Sequence, residues 1–295
     1  APAPPRPVRR PRVEPEPVLE QPLFKVAVVL SSRASAYTDV SEALTGLLKD
    51  VEVYDLGDRS LSPRDAFAAI HSSNAAAVVA VGLRAAVYAR DYAEVPAVFT
   101  QVFNDAENRL IGDTVRGVAA IPPLAAQLDA WLKVNPGLKG VGAIVGSGHE
   151  RLLLEASDAA AGRGLAFQHR VASSDRETLY LFTRMMPNID GFWLFPDNRV
   201  LSAGVLGEIF ENASRHGVQI AIFNDSLLSL GASLSTTTDK RDIARTVVDV
   251  LRQIQSNGVE TVPEYSPLHE VHVRLNDSAE EKLRLASDKS AGGEP

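Results

Sequence analysis

The chain has 295 residues, of which 45% are apolar and 23% charged, and it carries a formal net charge of −7. This length suffices for one large domain or for two lobes, each with a core of its own. The acidic balance argues against a nucleic acid or an anionic membrane as partner, because both select a basic face. The chain has no cysteine, which excludes disulfides, thiol nucleophiles and thiolate metal sites. Its longest apolar run, residues 75–81, is far shorter than the roughly 20 residues of a membrane span.

Both ends of the chain are expected to be disordered. Residues 1–23 hold eight prolines among arginines and glutamates and little that could pack, so they are predicted to form an extended tether. The chain begins with Ala rather than Met, and we expect a processed N-terminus whose tether holds the folded body away from a membrane anchor. Residues 287–295 are predicted to be a disordered tail.

The first half of the chain alternates apolar strands with amphipathic helices. Residues 24–30 form a nearly continuous apolar, β-branched run of the kind that is buried on both faces of a sheet. Further strands are predicted at residues 51–55, 76–81 and 96–100, and helices at residues 39–49, 62–70 and from 82 onward. Strict alternation of strand and helix predicts a doubly wound parallel sheet.

The second half repeats this alternation after a short strand at residues 116–120 and a helix that ends near residue 132. Strands are predicted at residues 139–145, 165–171, 190–195 and 218–223, and helices at residues 148–162, 175–186 and 200–216. The alternation of strand and helix ends after residue 225. There the sequence predicts a strand at residues 231–238, a long helix at 239–256, a last strand at 271–275 and a helical turn at 278–285.

These elements predict an α/β fold with two doubly wound parallel-sheet lobes joined by three crossings. We assign residues 24–119 and 237–262 to the N-terminal lobe, and residues 120–236 and 263–286 to the C-terminal lobe. The crossings are expected near residues 118–121, 235–238 and 262–266, and the helix at 239–256 is expected to return to the N-terminal lobe.

A partial internal sequence repeat supports two similar lobes. Residues 95–105 and 218–225 are both apolar strands that end in Phe-Asn-Asp. Aligned by strand rather than by letters, residues 98–101 match residues 222–225. This alignment predicts that Thr100 and Gln101 face Asn224 and Asp225 across a cleft.

Ligands of a doubly wound sheet bind beyond the carboxyl ends of its strands, where helix N-termini present free N–H groups. Hydroxyl and N–H groups there suit a carboxylate or a neutral polar head, and Asp197 or Asp225 would suit an ammonium group. Each such residue alone is compatible with a turn or a helix cap, but together they indicate a cleft. The candidate ligand-binding residues are Ser31, Ser32, Tyr37, Gly82, Leu83, Thr100, Gln101, Gly146, Ser147, Asp197, Asn198, Asn224 and Asp225.

Sequence motifs for catalysis, cofactors and metals are weak or missing. Gly146 and Gly148 form a lone Gly-x-Gly, without the third glycine and the downstream acid of a dinucleotide site. The sequence contains neither a P-loop nor a Gly-x-Ser-x-Gly elbow. His269 and His272 would point to opposite faces of a strand, because they are three residues apart. We therefore expect no metal, no cofactor and no enzymatic activity.

Large apolar side chains also lie close to the predicted cleft loops, and most are expected to pack in the core. If several face the cleft, the ligand is aromatic or lipidic rather than a sugar or a small ion. These side chains are Phe99, Phe103, Trp193, Phe195, Leu227 and Leu228.

A series of segments in a fixed order resembles a known family. They are residues 79–86, 95–100, 117–119, 123–128, 135–139, 195–200 and 231–233. The series is similar to the ABC-transporter substrate-binding proteins of the periplasmic-binding-protein type I fold, and within them to the tryptophan- and tyrosine-binding lipoproteins. The chain departs from that pattern at residues 101–105, where the family usually has Asp-Pro, and at residues 234–240, where it usually has a glycine-rich loop. Both departures fall where ligand contacts are expected.

The resemblance implies a monomeric, periplasmic solute-binding protein, tethered to the membrane through its N-terminus. It would capture a small organic, aromatic amino acid-like ligand between its lobes and deliver it to an inner-membrane ABC permease. One alternative is a periplasmic carrier of an apolar or amphipathic ligand such as a lipid. Another is an envelope interaction or regulatory module that does not transport and whose cleft is vestigial. A transcription regulator is disfavoured, because the N-terminal segment has no helix-turn-helix and the chain is acidic.

Overall fold

The computed structural model of the protein describes residues 22–197, 199–276 and 278. It confirms the predicted fold class: two α/β lobes, each built on a six-stranded, mostly parallel sheet with helices on both faces. The predicted tether falls almost entirely, and the predicted tail entirely, outside the described residues. Among the described residues, none of the helices is both long enough and apolar enough to span a bilayer.

The first lobe is built on the sheet with strand order β11-β5-β4-β3-β1-β2, all of it parallel. Its strands are β1 Val26–Leu30, β2 Val51–Asp55, β3 Ala77–Val81, β4 Ala97–Thr100, β5 Val115–Val118 and β11 Tyr265–Ser266. Its helices are α1 Ser35–Leu47, α2 Pro63–Ser72, α3 Leu83–Tyr92 and α8 Lys240–Asn257.

The sequence of β1 explains why helices cover both faces of this sheet. All five residues of the strand are buried. Val26, Val28 and Leu30 pack in one cluster with α1 and α8, whereas Ala27 and Val29 pack in another with α2 and α3. A strand that alternates apolar side chains to both sides can be buried only between two helical layers.

The second lobe is built on the sheet with strand order β12-β10-β9-β8-β6-β7, in which only β12 runs antiparallel. Its strands are β6 Gly140–Val145, β7 Ala166–Val171, β8 Gly191–Trp193, β9 Gln219–Ile222, β10 Leu234–Thr237 and β12 His272–Leu275. Its helices are α4 Leu124–Val134, α5 Glu150–Ala161, α6 Asp175–Met185 and α7 Ala203–His216. A 3₁₀ helix at Asp225–Leu230 follows β9.

The chain passes between the lobes three times: between β5 and α4, between β10 and α8, and between β11 and β12. The third passage lies at the end of the range predicted for it, residues 262–266, and later than the assigned lobe boundary. Tyr265 and Ser266 pair with Gly117 and Val118 in the first sheet, so the chain leaves this lobe after residue 266 rather than at residue 263. The long helix α8 packs its apolar stripe against α1 in the first lobe.

Candidate functional site

A cavity of about 650 Å³ lies between the two lobes. Its volume is typical of sites for small organic ligands. The first lobe contributes Ala36, Tyr37, Leu83 and residues 101–104 to its lining. The second lobe contributes His149, residues 194–197, Arg199, Leu201, Leu206, Phe223, Asn224 and Leu227.

Most of this lining is apolar, and some of its apolar residues were predicted from the sequence to lie near the cleft. Of the apolar side chains singled out in the sequence, Phe103, Phe195 and Leu227 line the cavity. Phe99 and Trp193 instead lie in the cores of their lobes, each 1% exposed. Apolar walls of this kind suit a ligand with an apolar body.

Five of the predicted ligand-binding residues line the cavity: Tyr37, Leu83, Gln101, Asp197 and Asn224. Gln101 directly follows β4 and has a left-handed backbone, with φ of 58°. Its side chain is buried, and its Nε2 has no hydrogen-bond partner. A non-glycine residue with positive φ is uncommon and is found most often at functional sites.

Thr100 does not reach the cavity lining, although the sequence alignment of the two strands placed it there. It is completely buried within β4, and its Oγ1 has no hydrogen-bond partner. Across from it, Asp225 accepts a hydrogen bond at 2.9 Å from Arg274 on β12 and is likewise absent from the lining. Of the four residues predicted to face each other across the cleft, only Gln101 and Asn224 line the cavity.

Ser31, Ser32 and Gly82 hold local structure behind the cavity rather than lining it. Ser31 Oγ accepts a hydrogen bond of 2.9 Å from Ala85 N–H in the first turn of α3. Ser32 Oγ accepts a weaker one of 3.4 Å from Ala34 N–H before α1. Gly82 has φ of 90°, and a Cβ there would lie 2.6 Å from Ser31 Oγ and 2.7 Å from the Tyr37 ring. The glycine therefore lets Tyr37 approach the N-terminus of α3.

Asp197 lies in the lining but is already paired. Its side chain is 2% exposed and accepts hydrogen bonds from Arg199 Nε and Nη2, both at 2.9 Å, and from Gly146 N–H at 2.8 Å. Burial alone would raise the pKa of this carboxyl group, but the hydrogen bonds from Arg199 and Gly146 outweigh it and lower the pKa of Asp197 below its ordinary value. The carboxylate expected to hold a ligand ammonium group is instead neutralised from within the chain.

Gly146 and Ser147 belong to this same network and are absent from the lining. A Cβ on Gly146 would lie 2.8 Å from Asp197 Oδ2, so the backbone N–H can approach the carboxylate only because residue 146 is glycine. The Ser147 carbonyl oxygen accepts a hydrogen bond of 2.8 Å from Arg199 Nη2. Asn224 Oδ1 accepts from Ser226 N–H and so caps the 3₁₀ helix after β9. Asn198, also a predicted site residue, lies outside the described residues.

His149 and Arg199 line the cavity but are not among the candidate ligand-binding residues chosen from the sequence. His149 is 3% exposed, and its Nδ1 lies 3.3 Å from both Gly146 O and Arg199 Nη2. Its Nε2 is buried without a hydrogen-bond partner. One local signal could have identified Arg199. It stands two residues after Asp197, and a buried aspartate needs a nearby cation to neutralise its charge.

Contacts beside the cavity join the two lobes directly. Arg199 Nη1 donates to Glu107 Oε2 at 2.7 Å. Arg151 of α5 donates to Asp105 at 2.6 Å, and its guanidinium lies 3.5 Å from the centre of the Tyr265 ring. Glu107 and Asp105 lie on the segment between β4 and β5, so this segment of the first lobe is held by two arginines of the second.

Over the described ranges, no three His, Asp or Glu side chains come close enough together to hold a metal ion. His272 faces Glu270 at 3.7 Å, and His269 N–H donates to Asp242.

No protein-family model and no curated protein matches the sequence. Solved structures do match its fold. CD0873, a substrate-binding protein with adhesive properties from Clostridium difficile in a ligand-free, open form, is 14% identical with a TM-score of 0.65, over 89% of this chain and 95% of that one. The ABC domain from Streptococcus pneumoniae in complex with L-Trp is 17% identical with a TM-score of 0.59, over 88% and 95%. A LacI-family transcriptional regulator from Arthrobacter in complex with lactose is 14% identical with a TM-score of 0.51, over 86% and 98%.

The chain has the type I periplasmic-binding-protein fold. The resemblance stated from the sequence segments is thereby confirmed at the level of the fold. Proteins of this type I fold among the matches include solute-binding proteins, some of them with a bound ligand, and also transcription regulators. These neighbours are binding proteins rather than enzymes.

Proposed function

We propose that the protein is a periplasmic solute receptor that binds a small organic ligand with an aromatic or similarly apolar body between its lobes and delivers it to an ABC transporter. The observation that carries this proposal is the interlobe cavity of about 650 Å³, which both lobes line with mostly apolar side chains. A ligand in this position contacts both lobes, so it favours the arrangement in which they are close together.

The shape of the ligand follows from the aromatic part of the lining. Tyr37 and Phe103 of the first lobe and Phe223 of the second line the cavity, and Phe195, also in the lining, is 1% exposed and packs on Trp193. Flat apolar bodies such as those of the aromatic amino acids fit between such rings, because offset and edge-to-face contacts add to the burial of area. The neighbour solved with L-Trp supports an aromatic body as the first class of ligand to test.

Delivery to a transporter and a periplasmic location rest on the resemblance in sequence segments and on the kind of protein found among the structural neighbours. The proline-rich N-terminal sequence would then act as a spacer between the receptor and the membrane. A monomer is sufficient for this role, because both halves of the cavity come from one chain.

The first experiment is native mass spectrometry of protein purified from its own host, followed by a thermal-shift screen of aromatic amino acids, their analogues and lipids. A co-purified or stabilising aromatic solute supports the proposal. A variant with a filled cavity supplies the control for position. Leu206→Trp adds bulk to the lining and should abolish binding, whereas Leu154→Trp, at a side chain 68% exposed on α5, should leave it unchanged.

A second candidate function is the carriage of a lipid or another amphipathic molecule, and the apolar lining favours it as well. A lipid found in the native mass spectrum would select this function over the first. If no small molecule binds and the protein instead captures an envelope protein, the cavity is vestigial and the transport proposal fails.

A further inference from the structure

Two buried polar side chains belong to the cavity lining, one on each lobe, and each has a buried atom that lacks a hydrogen-bond partner. Gln101 of the first lobe is 8% exposed, and its Nε2 has no hydrogen-bond partner. His149 of the second lobe is 3% exposed, and its Nε2 has none either. Buried polar atoms are normally hydrogen-bonded, and an unpartnered one requires an explanation, which a ligand can supply where the residue lines a cavity.

Neither side chain is free to turn away and satisfy itself elsewhere. The His149 ring is fixed by its other nitrogen, which lies 3.3 Å from the Gly146 carbonyl oxygen and 3.3 Å from Arg199 Nη2. The backbone of Gln101 is in the left-handed region, an arrangement that costs free energy and directs the side chain from the end of β4 to the cavity. Both atoms are therefore held in place before any ligand arrives.

The formal charges of the lining, by contrast, are already compensated. Asp197 and Arg199 are bonded to each other through two hydrogen bonds of 2.9 Å, and Arg199 also binds Glu107. Among the described residues that line the cavity, Asp197 is the one carboxylate and Arg199 the one guanidinium, and no Glu or Lys is present. An ionised ligand group would thus enter an apolar cavity without a free counter-charge, which is strongly unfavourable.

The partial charges of the helix N-termini beside the cavity are already offset. At α5, whose N-cap is His149, Glu150 in the first turn supplies a negative charge. The first turn of α3 is capped by Ser31 Oγ, and the first turn of α7 by Ser202 Oγ. The first turn of α1 has no side-chain cap, but Ser35 and Ala36 are exposed to solvent, where the effect of the helix dipole is weak.

From the two unpartnered polar atoms and the compensated charges of the lining, we propose that the ligand carries an uncharged hydrogen-bonding head, such as a hydroxyl or a carboxamide, which bridges Gln101 and His149. This inference rests on the proposed function and specifies its ligand class. A hydroxyl oxygen accepts a hydrogen bond from Gln101 Nε2, and the same hydroxyl or a second polar atom of the head pairs with His149 Nε2. A neutral aromatic alcohol or amide fits this description better than a free amino acid does.

The test uses four probes with one aromatic body and different heads: tryptophol, tryptamine, indole-3-propionate and tryptophan. Their affinities for the whole chain are measured by isothermal titration calorimetry at one pH and one ionic strength. We expect tryptophol to bind at least tenfold more tightly than each charged probe, because an unpaired charge is more costly to bury than a hydroxyl. If indole-3-propionate or tryptophan binds as tightly as tryptophol, the neutral head is refuted while the solute-binding function stands. If none of the four binds, the proposed aromatic ligand fails as well.

Two variants test the residues themselves. Gln101→Asn introduces a residue that tolerates the left-handed backbone, but its shorter side chain moves the amide back from its original position. His149→Phe removes the ring nitrogens. Each should weaken tryptophol binding roughly tenfold, the effect of one lost hydrogen bond, and should change the affinity for unsubstituted indole much less. The matched controls are Gln253→Asn and His216→Phe, at exposed positions on α8 and α7, which should bind as the wild type does. Wild-type affinity for tryptophol in both Gln101→Asn and His149→Phe would overturn the assignment.

Discussion

Glu107 and Arg199 lie on different lobes and meet at 2.7 Å, while the same guanidinium binds Asp197 in the lining of the cavity. One arginine thus takes part in both the contact between the lobes and the electrostatics of the site. Its two acidic partners differ in burial: the Glu107 side chain is 41% exposed, and that of Asp197 is 2% exposed. The two ion pairs are therefore expected to differ in strength.

Removing one partner from each pair should separate their contributions to stability. Glu107→Gln should lower the free energy of unfolding by less than about 1 kcal/mol, because exposed ion pairs are screened by solvent. Arg199→Ala should lower it by about 2 kcal/mol, because the buried Asp197 carboxylate loses its cation. Urea denaturation measures both, and the double variant should be no less stable than Arg199→Ala. Equal losses of unfolding free energy in the two single variants would contradict the expectation that the buried ion pair is the stronger one.

Gly148 offers a second test of the contact between the lobes. Its φ is 84°, and a Cβ there would lie 2.4 Å from Glu107 Cβ on the other lobe. Gly164 has a similar φ of 70° but no atom within 4 Å of its Cβ position, so it serves as a matched control. Both alanine variants should lose about 1 kcal/mol of stability through backbone strain. Only Gly148→Ala should also separate the lobes, seen as a larger radius of gyration in small-angle X-ray scattering. The same increase in Gly164→Ala would show that strain alone causes it.

Much of the fold could be predicted because burial leaves a local signature. The fully buried strands β1 and β3 stand out as short apolar runs between polar loops, and the stripe of apolar residues on α8 marks one helical face. The short strand β11 carries no such signature, since Tyr265 and Ser266 are only partly buried. Its place in the first sheet depends on pairing with Gly117 and Val118, which are distant in sequence.

The site was less predictable than the fold for a related reason. The rule that ligands lie beyond strand ends identified Gln101 and Asn224, but it also selected Thr100, whose side chain points into the protein. Adjacent residues at a strand end point to opposite sides, and the sequence does not say where the backbone turns. The pairing of Asp197 with Arg199 has no signature in the sequence beyond their spacing of two residues, and the contact of Arg199 with Glu107 depends on how the lobes meet.

Gln101 should show a trade-off between stability and binding. Gln101→Gly relieves the left-handed backbone and should raise the free energy of unfolding by about 1 kcal/mol. The same change removes the side chain from the cavity lining and should weaken ligand binding. Asn74→Gly is the control, since Asn74 also has positive φ, at 59°, but lies away from the cavity. It should gain less stability, because Asn tolerates this region well, and should bind normally. Unchanged binding in Gln101→Gly would exclude Gln101 from the site.

Thr100 should be replaceable without loss of binding, although the sequence placed it among the ligand contacts. Thr100→Val keeps the shape of the side chain and removes a buried hydroxyl that has no hydrogen-bond partner. We expect stability to rise by up to about 1 kcal/mol, since an unsatisfied buried hydroxyl is unfavourable. Thr246→Val is the contrast, because Thr246 Oγ1 donates to Asp242 O at 2.9 Å, and it should lose stability. A loss of ligand affinity in Thr100→Val, at unchanged stability, would return Thr100 to the site.

Acidification should weaken the fold through Asp197. Its pKa is lowered in the folded protein, because hydrogen bonds from Arg199 and Gly146 outweigh the opposing effect of burial, whereas the unfolded chain has an ordinary aspartate pKa of about 3.9. The stabilisation from the ionised carboxylate is therefore fully present above the unfolded pKa and is lost as the pH falls through the folded pKa. Asp197→Asn should be less stable than the wild type by about 1–2 kcal/mol at pH 7. This difference should stay constant down to about pH 5 and shrink below about pH 4. Urea denaturation of both proteins across this range measures it, and a difference that grows on acidification would contradict the lowered pKa.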